Sequence, residues 1–178
     1  NENLDAIEFL KTMNKYIAKR GDGCFTIAEE SSGWVGVTAA DNDDPLMFTY
    51  KQNNCWTKDF LEFMGTDPLF RKGEYDKLTY GMLYNYGEDF MLSLNHDDFR
   101  EKAFVDMVSG SDEKAHLSDI KAALGFMYAH PGSKMFAAGQ DAGLEKFMSE
   151  LNKFYAKNAA LYELDNDPDG FMWLENSN

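Results

Sequence analysis

The sequence has few cysteines and little positive charge. Its two cysteines, Cys24 and Cys55, belong to no Cys-x-x-Cys pair and to no cluster with histidine, so a zinc site has no support. Two isolated thiols in a chain of 178 residues favour a reducing compartment, and we expect a cytoplasmic location. Lysine and arginine number 17 against 31 acidic residues, giving a net charge of -14. Such a surface repels nucleic acid and anionic lipid, so neither is an expected partner.

Long apolar runs and cofactor motifs are also missing. No stretch approaches the ~20 apolar residues that a membrane-spanning helix needs. The chain has no glycine-rich phosphate loop, no Cys/His nucleophile arrangement and no metal-binding histidine spacing, so no cofactor and no metal are expected. It begins at Asn1 without a Met, which suggests a piece of a longer protein. A neutral ligand such as a carbohydrate remains compatible with this composition.

The residues that are present predict a packed α/β domain. Hydrophobic residues make up 44% of the chain, enough for a core. Short apolar runs predict strands at Cys24–Ala28, Leu46–Tyr50, Asp89–Leu94 and Lys134–Ala138. Spacings of three and four predict helices at Leu4–Ala18, Ser118–Tyr128 and Leu144–Lys157, with helical pieces at 59–64, 68–70 and 75–86. Four such units predict half of a (β/α)8 TIM barrel, with residues 1–178 as one partial barrel domain.

Two of the predicted strands lead into acidic residues. The first is followed by Glu29-Glu30, and the third by His96-Asp97-Asp98. Function in βα barrels lies at the carboxyl ends of the strands. Two carboxylates there suit the cleavage of a glycosidic bond, in which one protonates the leaving oxygen and another supports the oxocarbenium charge. A solvated loop or a helix cap is the more common role of such residues, so the pattern alone leaves both interpretations open.

Aromatic side chains offer a second, weaker indication. Trp34, Tyr50 and Trp56 are candidates for stacking on sugar rings, although loop aromatics more often pack against the protein itself. His130 precedes a Pro-Gly turn and is expected to be structural.

Several segments, in order, resemble the glycogen branching enzymes of the α-amylase superfamily. They are Asn3–Leu10, Thr26–Ser32, Trp34–Thr38, Phe48–Lys51 with Trp56, Asp76–Tyr84, Leu94–Asp98, Ala129–Lys134 and Glu163–Phe171. The resemblance covers nearly the whole chain, and the joint order of the segments is its most specific feature. It implies strands five to eight of the catalytic barrel of a 1,4-alpha-glucan branching enzyme. Such an enzyme is a retaining glucanotransferase that cleaves an α-1,4 link and rejoins the chain through an α-1,6 link.

The resemblance also implies roles for individual residues. Glu29 takes the place of the general acid/base, and Asp97 that of the carboxylate that stabilises the transition state. His96 is expected to bind the α-glucan substrate. Further substrate contacts are expected from Trp34, Tyr50, Lys51 and Trp56. Glu30 has no catalytic role in the family's pattern.

The sequence departs from the family in three places. The family's nucleophilic Asp lies on the strand that would precede Asn1, so we expect the isolated chain to be inactive. Asp98 stands where the family has Glu, and Gly139-Gln140-Asp141 where it has Gly-Asn-Glu. The chain also runs from Gln140 almost directly into its last helix, where the family has a longer loop.

These departures keep alternatives open. One is another hydrolase or transferase of the α-amylase superfamily, and another is a non-catalytic α-glucan-binding protein. Half a barrel would also leave two strand edges and an apolar inner face open. We therefore expect either a homodimer that closes them or helices folded over the inner face.

Overall fold

A computed structural model of the chain describes residues 2–38, 43–140 and 143–174. Four parallel strands form one sheet in the order in which they occur along the chain. They are β1 (Ile27–Ala28), β2 (Tyr50–Gln52), β3 (Phe90–Leu94) and β4 (Ser133–Phe136). Neighbouring strands are consecutive and parallel, so every connection returns to the same end of the sheet. This is the arrangement of repeated βα units.

The described part of the chain also contains six α-helices. They are α1 (Leu4–Arg20), α2 (Asn54–Gly65), α3 (Asp76–Thr79), α4 (Phe104–Met107), α5 (Glu113–Ala129) and α6 (Glu145–Lys157). Short 3-10 helices lie at Arg71–Glu74, Tyr80–Leu83, Asn85–Gly87, Ala159–Leu161 and Pro168–Gly170. None of the helices in the described ranges has the length and apolar character needed to cross a membrane.

Side-chain caps fix where the long helices begin. The Asn3 side chain accepts a hydrogen bond from the backbone N–H of Ala6, and Asn53 caps α2 in the same way through Trp56. Asp112 caps α5. Each cap satisfies a backbone donor that a helix start leaves without an internal partner. The α1 helix ends at Gly21, whose φ of 63° is left-handed and favours glycine.

The predicted strands differ from the structure mainly in the first half of the sheet. The third and fourth predictions match β3 and β4 within two residues at each end, whereas β1 is shorter than predicted. The second prediction, Leu46–Tyr50, is displaced to Tyr50–Gln52. Met47 has a φ of 64°, which breaks an extended strand. Leu46 instead bonds the carbonyl of Gly36, and Phe48 bridges Thr38, so this run pairs with the preceding loop.

The predicted helices differ from the structure mainly in extent, but the helical piece predicted at 68–70 is wrong, because these residues form a turn. Helices α1 and α6 match within two residues. Helix α2 begins five residues before the predicted piece at 59–64, because Asn53 caps it there. Helix α5 likewise begins at its Asp112 cap. The segment 75–86, predicted as one helix, is a short α-helix followed by 3-10 turns.

The core lies between the sheet and helices α2, α5 and α6. Leu92 and Leu94 of β3 are fully buried among Phe60, Leu124 and Met148 from those helices. Side chains alternate along a strand, so Ser93 points to the opposite, inner face. That face is not the continuous apolar surface that the sequence predicts. It mixes apolar and polar side chains of registered residues, namely Ile27, Tyr50, Gln52, Met91, Ser93, Ser133 and Met135.

Candidate active site

Glu29 and Asp97 border one cleft at the carboxyl edge of the sheet. Glu29 directly follows β1 and Asp97 lies three residues after β3, so only β2 separates their strands. The cleft has a volume of about 530 Å³. Its other lining residues are Gln52, Asn95, His96 and the segment Met135–Ala138. The structure therefore brings together the two carboxylates and the histidine that the sequence singles out.

A polar turn after β3 determines which of the two aspartates, Asp97 or Asp98, stays accessible in the cleft. The Asp98 carboxylate accepts the backbone N–H of Asn95 at 2.8 Å, and the Asn95 side chain accepts that of Asp97 at 2.8 Å. Asn95 also donates to Gln52 Oε1 at 3.2 Å, which ties the turn to β2. Asp98 is thus engaged in the turn, while Asp97 meets only the exposed guanidinium of Arg100 at 2.8 Å among the partners identified. An exposed pair of this kind is weak and leaves Asp97 accessible.

Asp98 shares the electrostatic environment of both candidate catalytic residues. It lines a neighbouring cleft of about 470 Å³ together with Glu29 and Asp97. Burial raises the pKa of Asp98, and the hydrogen bond from the backbone of Asn95 lowers it by a smaller amount. Repulsion from the charges of Asp97 and Glu29 raises it further. The charges of Asp97 and Glu29 therefore reach the Asp98 carboxyl. In the described part of the chain, no group of three or more His, Cys, Asp or Glu side chains could hold a metal ion.

Glu30 and Lys51 hold the loop that carries Glu29. The Glu30 carboxylate accepts the backbone N–H groups of Ser32 at 2.5 Å and Trp34 at 3.0 Å, and the Ser32 hydroxyl as well. Lys51 lies 3.0 Å from the same carboxylate and donates to the carbonyl of Trp34 at 2.8 Å. Lys51 is only 8% exposed. The structure therefore gives Lys51 a position inside the protein, although the sequence predicts a substrate contact.

The Glu30 network predicts a loss of stability in acid. Burial opposes ionisation of Glu30, but hydrogen bonds from Ser32 and Lys51 outweigh it and lower the pKa to about 2 from the usual 4.5. The ionised carboxylate therefore stabilises the fold above pH 4.5, and this contribution disappears as the pH falls toward 2. We expect Glu30→Gln to lower the free energy of unfolding by about 2–3 kcal/mol at pH 7. Urea unfolding of both proteins from pH 7 to pH 2.5 should show the difference shrinking, and a constant difference would contradict this account.

The three aromatic candidates lie outside the Glu29–Asp97 cleft. Trp56 is 2% exposed and stacks on Phe60 in the core, with ring centroids 4.6 Å apart. Tyr50 begins β2 and lines a different cleft, of about 540 Å³, at the amino end of the strands. Trp34 is half-buried and borders a groove beside α1. Gln52 and Asn95, which the sequence analysis missed, do line the cleft. Their only signal was a polar residue at or just after the end of a strand.

Sequence comparison identifies relatives of the whole chain. No protein-family model matches it. It is 36% identical, over its full length, to 1,4-alpha-glucan branching enzyme GlgB 1 of Clostridium perfringens (strain 13 / Type A). It is 34% identical to GlgB 2 of the same strain. The chain spans about 30% of the length of these curated relatives. The whole chain is thus homologous to one segment of the 1,4-alpha-glucan branching enzymes, the family that its ordered motifs predict.

Proposed function

We propose that the chain forms strands five to eight of the (β/α)8 catalytic barrel of an α-glucan branching enzyme. In this proposal residues 1–178 make up one partial barrel domain, and β1 to β4 are its four strands. The observation that carries the proposal is the convergence of Glu29 and Asp97 on one cleft at the carboxyl edge of the sheet. That edge is where βα barrels place their active sites.

The proposed reaction assigns each carboxylate a separate task. Protonated Glu29 donates its proton to the glycosidic oxygen as the α-1,4 link breaks. The resulting carboxylate then removes the proton from the 6-hydroxyl of the acceptor glucose, as the α-1,6 link forms. Ionised Asp97 stabilises the positive charge that develops on the sugar ring in both steps. His96 and the amides of Gln52 and Asn95 offer hydrogen bonds to sugar hydroxyls without adding negative charge.

A retaining mechanism needs a third carboxylate as the nucleophile. The family resemblance assigns it to a strand that these 178 residues do not include. Without it, the covalent glycosyl–enzyme intermediate cannot form. The proposal therefore includes that the chain is inactive alone and acts as part of a larger protein. A cytoplasmic location belongs to the same proposal, supported by free, exposed thiols at Cys24 and Cys55.

The test of this proposal is a chimera. The chain would replace its aligned segment in GlgB 1 of Clostridium perfringens, where the aligned stretch is 204 residues long. We expect the chimera to lower the iodine absorbance of amylose without releasing reducing ends, and the isolated chain to do neither. Release of reducing ends would favour the alternative of a hydrolase. Binding to amylose without either change would favour a non-catalytic α-glucan-binding protein.

We further propose that the isolated chain forms a homodimer. β1 and β4 end the sheet, so each offers an edge to a second copy. Large apolar side chains are exposed at 57% or more in the segment that leads into β1, namely Phe25 just before the strand and Phe9 and Tyr16 on α1. Sedimentation equilibrium should give twice the 20.3 kDa chain mass, and Phe25→Lys should shift it toward the monomer. A monomer at all concentrations would contradict this proposal and leave the branching proposal intact.

A further inference from the structure

His130 is a buried histidine, and one of its ring nitrogens has no hydrogen-bond partner among the described residues. The residue is 1% exposed and sits at the end of α5. Its Nδ1 lies 2.9 Å from the carbonyl oxygen of Pro131, which can only accept, so Nδ1 carries the hydrogen. Burial lowers the pKa of His130 to about 4, so the ring is neutral at pH 7. Nε2 is therefore a bare acceptor, and it has no hydrogen-bond partner among the residues that the structure describes.

A buried donor lies beside this acceptor. Trp56 is 2% exposed, and its ring centroid is 5.8 Å from that of His130. The indole N–H also lacks a partner within the described ranges. The Tyr84 hydroxyl donates to Asn53 Oδ1 at 3.2 Å, so its oxygen can still accept a hydrogen bond. The indole nitrogen and the imidazole Nε2 are thus both buried, and the Tyr84 hydroxyl is a second, partly buried acceptor.

Gly81 shows where these groups converge. A Cβ placed on Gly81 would have Trp56 Cδ1 at 3.5 Å, Tyr84 Oη at 3.7 Å and His130 Nε2 at 4.0 Å. Cδ1 is bonded to the indole nitrogen, so all three polar groups lie near this buried glycine. These are the three nearest heavy atoms outside the glycine and its chain neighbours, and none of them is closer than 3.5 Å.

We propose that the space beside Gly81 is a binding site for one buried water molecule. The water accepts from Trp56 Nε1–H and donates to His130 Nε2 and to Tyr84 Oη. About three hydrogen bonds are typical of a buried water, and an unpaired buried polar group is costly. The water joins α2, the turn at Tyr80–Leu83 and the end of α5. It thereby fixes elements that hydrophobic packing alone would hold with less precision.

The direction in which Gly81→Ala changes the urea unfolding midpoint tests the site. Alanine fits at position 81, because its nearest contacts are ordinary van der Waals distances and no left-handed φ is required. Without a water, Gly81→Ala should raise the urea midpoint, since alanine restricts the unfolded chain. With a water, the methyl group displaces it and the midpoint falls. Gly81→Ser should keep a higher midpoint than Gly81→Ala, because its hydroxyl can replace the water.

A matched control separates this effect from a general response to added methyl groups. Gly125 lies inside α5, and a Cβ there meets nothing within 4 Å. Gly125→Ala should raise the midpoint in the 178-residue chain, opposite in sign to Gly81→Ala. If Gly81→Ala does not fold while Gly81→Ser does, the water site is supported. If both fail, or if Gly81→Ala raises the midpoint as Gly125→Ala does, the site is overturned.

A crystal structure at a resolution that shows ordered solvent gives the direct answer. We expect a solvent peak within hydrogen-bond distance, about 2.7–3.2 Å, of both Trp56 Nε1 and His130 Nε2. The same peak should be missing in Gly81→Ala and replaced by the serine hydroxyl in Gly81→Ser. An unsubstituted protein without the peak would overturn the proposal.

Discussion

Replacing Glu88 with alanine lowers the free energy of unfolding by about 3–5 kcal/mol, the largest loss of stability that we expect from one polar substitution. Glu88 is 6% exposed and lies two residues before β3. Its carboxylate accepts the backbone N–H of Gly36 at 2.8 Å, of Val37 at 3.0 Å and of Thr38 at 2.8 Å. The Thr38 hydroxyl adds a fourth hydrogen bond at 2.5 Å. Removing the carboxylate leaves all four donors buried and unpaired.

The geometry explains why the effect is large. Consecutive backbone N–H groups form a concave nest that suits an anion, and the positive φ of 76° at Gly36 lets the chain turn around it. Hydrogen bonds to a charged group are about twice as strong as neutral ones. Glu88 attaches the loop after β1 to the strand that leads to Asp97. Its loss should therefore disturb both sides of the Glu29–Asp97 cleft.

Urea unfolding of three variants checks this prediction. Glu88→Gln should lower the free energy of unfolding by less than Glu88→Ala does, because the amide oxygen of glutamine can still accept hydrogen bonds from two of the donors. Glu101→Ala serves as the control, since Glu101 is exposed on the surface. Surface substitutions of that kind usually change stability by less than about 0.5 kcal/mol. A Glu88→Ala variant as stable as Glu101→Ala would mean that the nest does not hold the loop.

Sequence patterns predicted the elements whose folding depends on local periodicity. Helices α1 and α6 follow from apolar spacings of three and four, and β3 from one short apolar run. The pattern failed at Leu46–Tyr50, where an apolar run is interrupted by the left-handed Met47. A backbone angle of this kind leaves no signature in the residue type, because methionine is common in regular structure. The position of β2 therefore depends on the surrounding loop, through contacts with Gly36 and Thr38.

The candidate site was predictable only where its residues follow strands directly. Glu29 and Asp97 reach one cleft because parallel strands present their carboxyl ends at a common edge. Trp56 was expected in a loop that contacts sugar, but the Asn53 cap starts α2 earlier and directs the indole into the core. Glu88 was missed altogether. Its partners are backbone groups about 50 residues away in the sequence, and no residue spacing predicts such a contact.

The largest functional effect is expected from Glu29. In the chimera with GlgB 1, Glu29→Gln should reduce branching by about 10²–10⁴-fold, because glutamine can neither donate nor remove the proton. Asp97→Asn should reduce it by about 10²–10³-fold, since a neutral amide stabilises a developing positive charge poorly. Both side chains are exposed in the cleft and carry little of the fold, so the thermal stability of the chimera should hardly change.

The control variants distinguish a residue that takes part in the reaction from one that only holds the loop in place. Glu101→Gln removes the same charge on the exposed surface and should leave branching unchanged. Glu30→Gln should lower both activity and stability, because Glu30 holds the loop that carries Glu29. Loss of activity without loss of stability is therefore the mark of a residue that takes part in the reaction. A Glu29→Gln chimera that branches amylose as fast as the Glu101→Gln control would show that another carboxylate supplies the proton, and Asp98 would then be the first to replace.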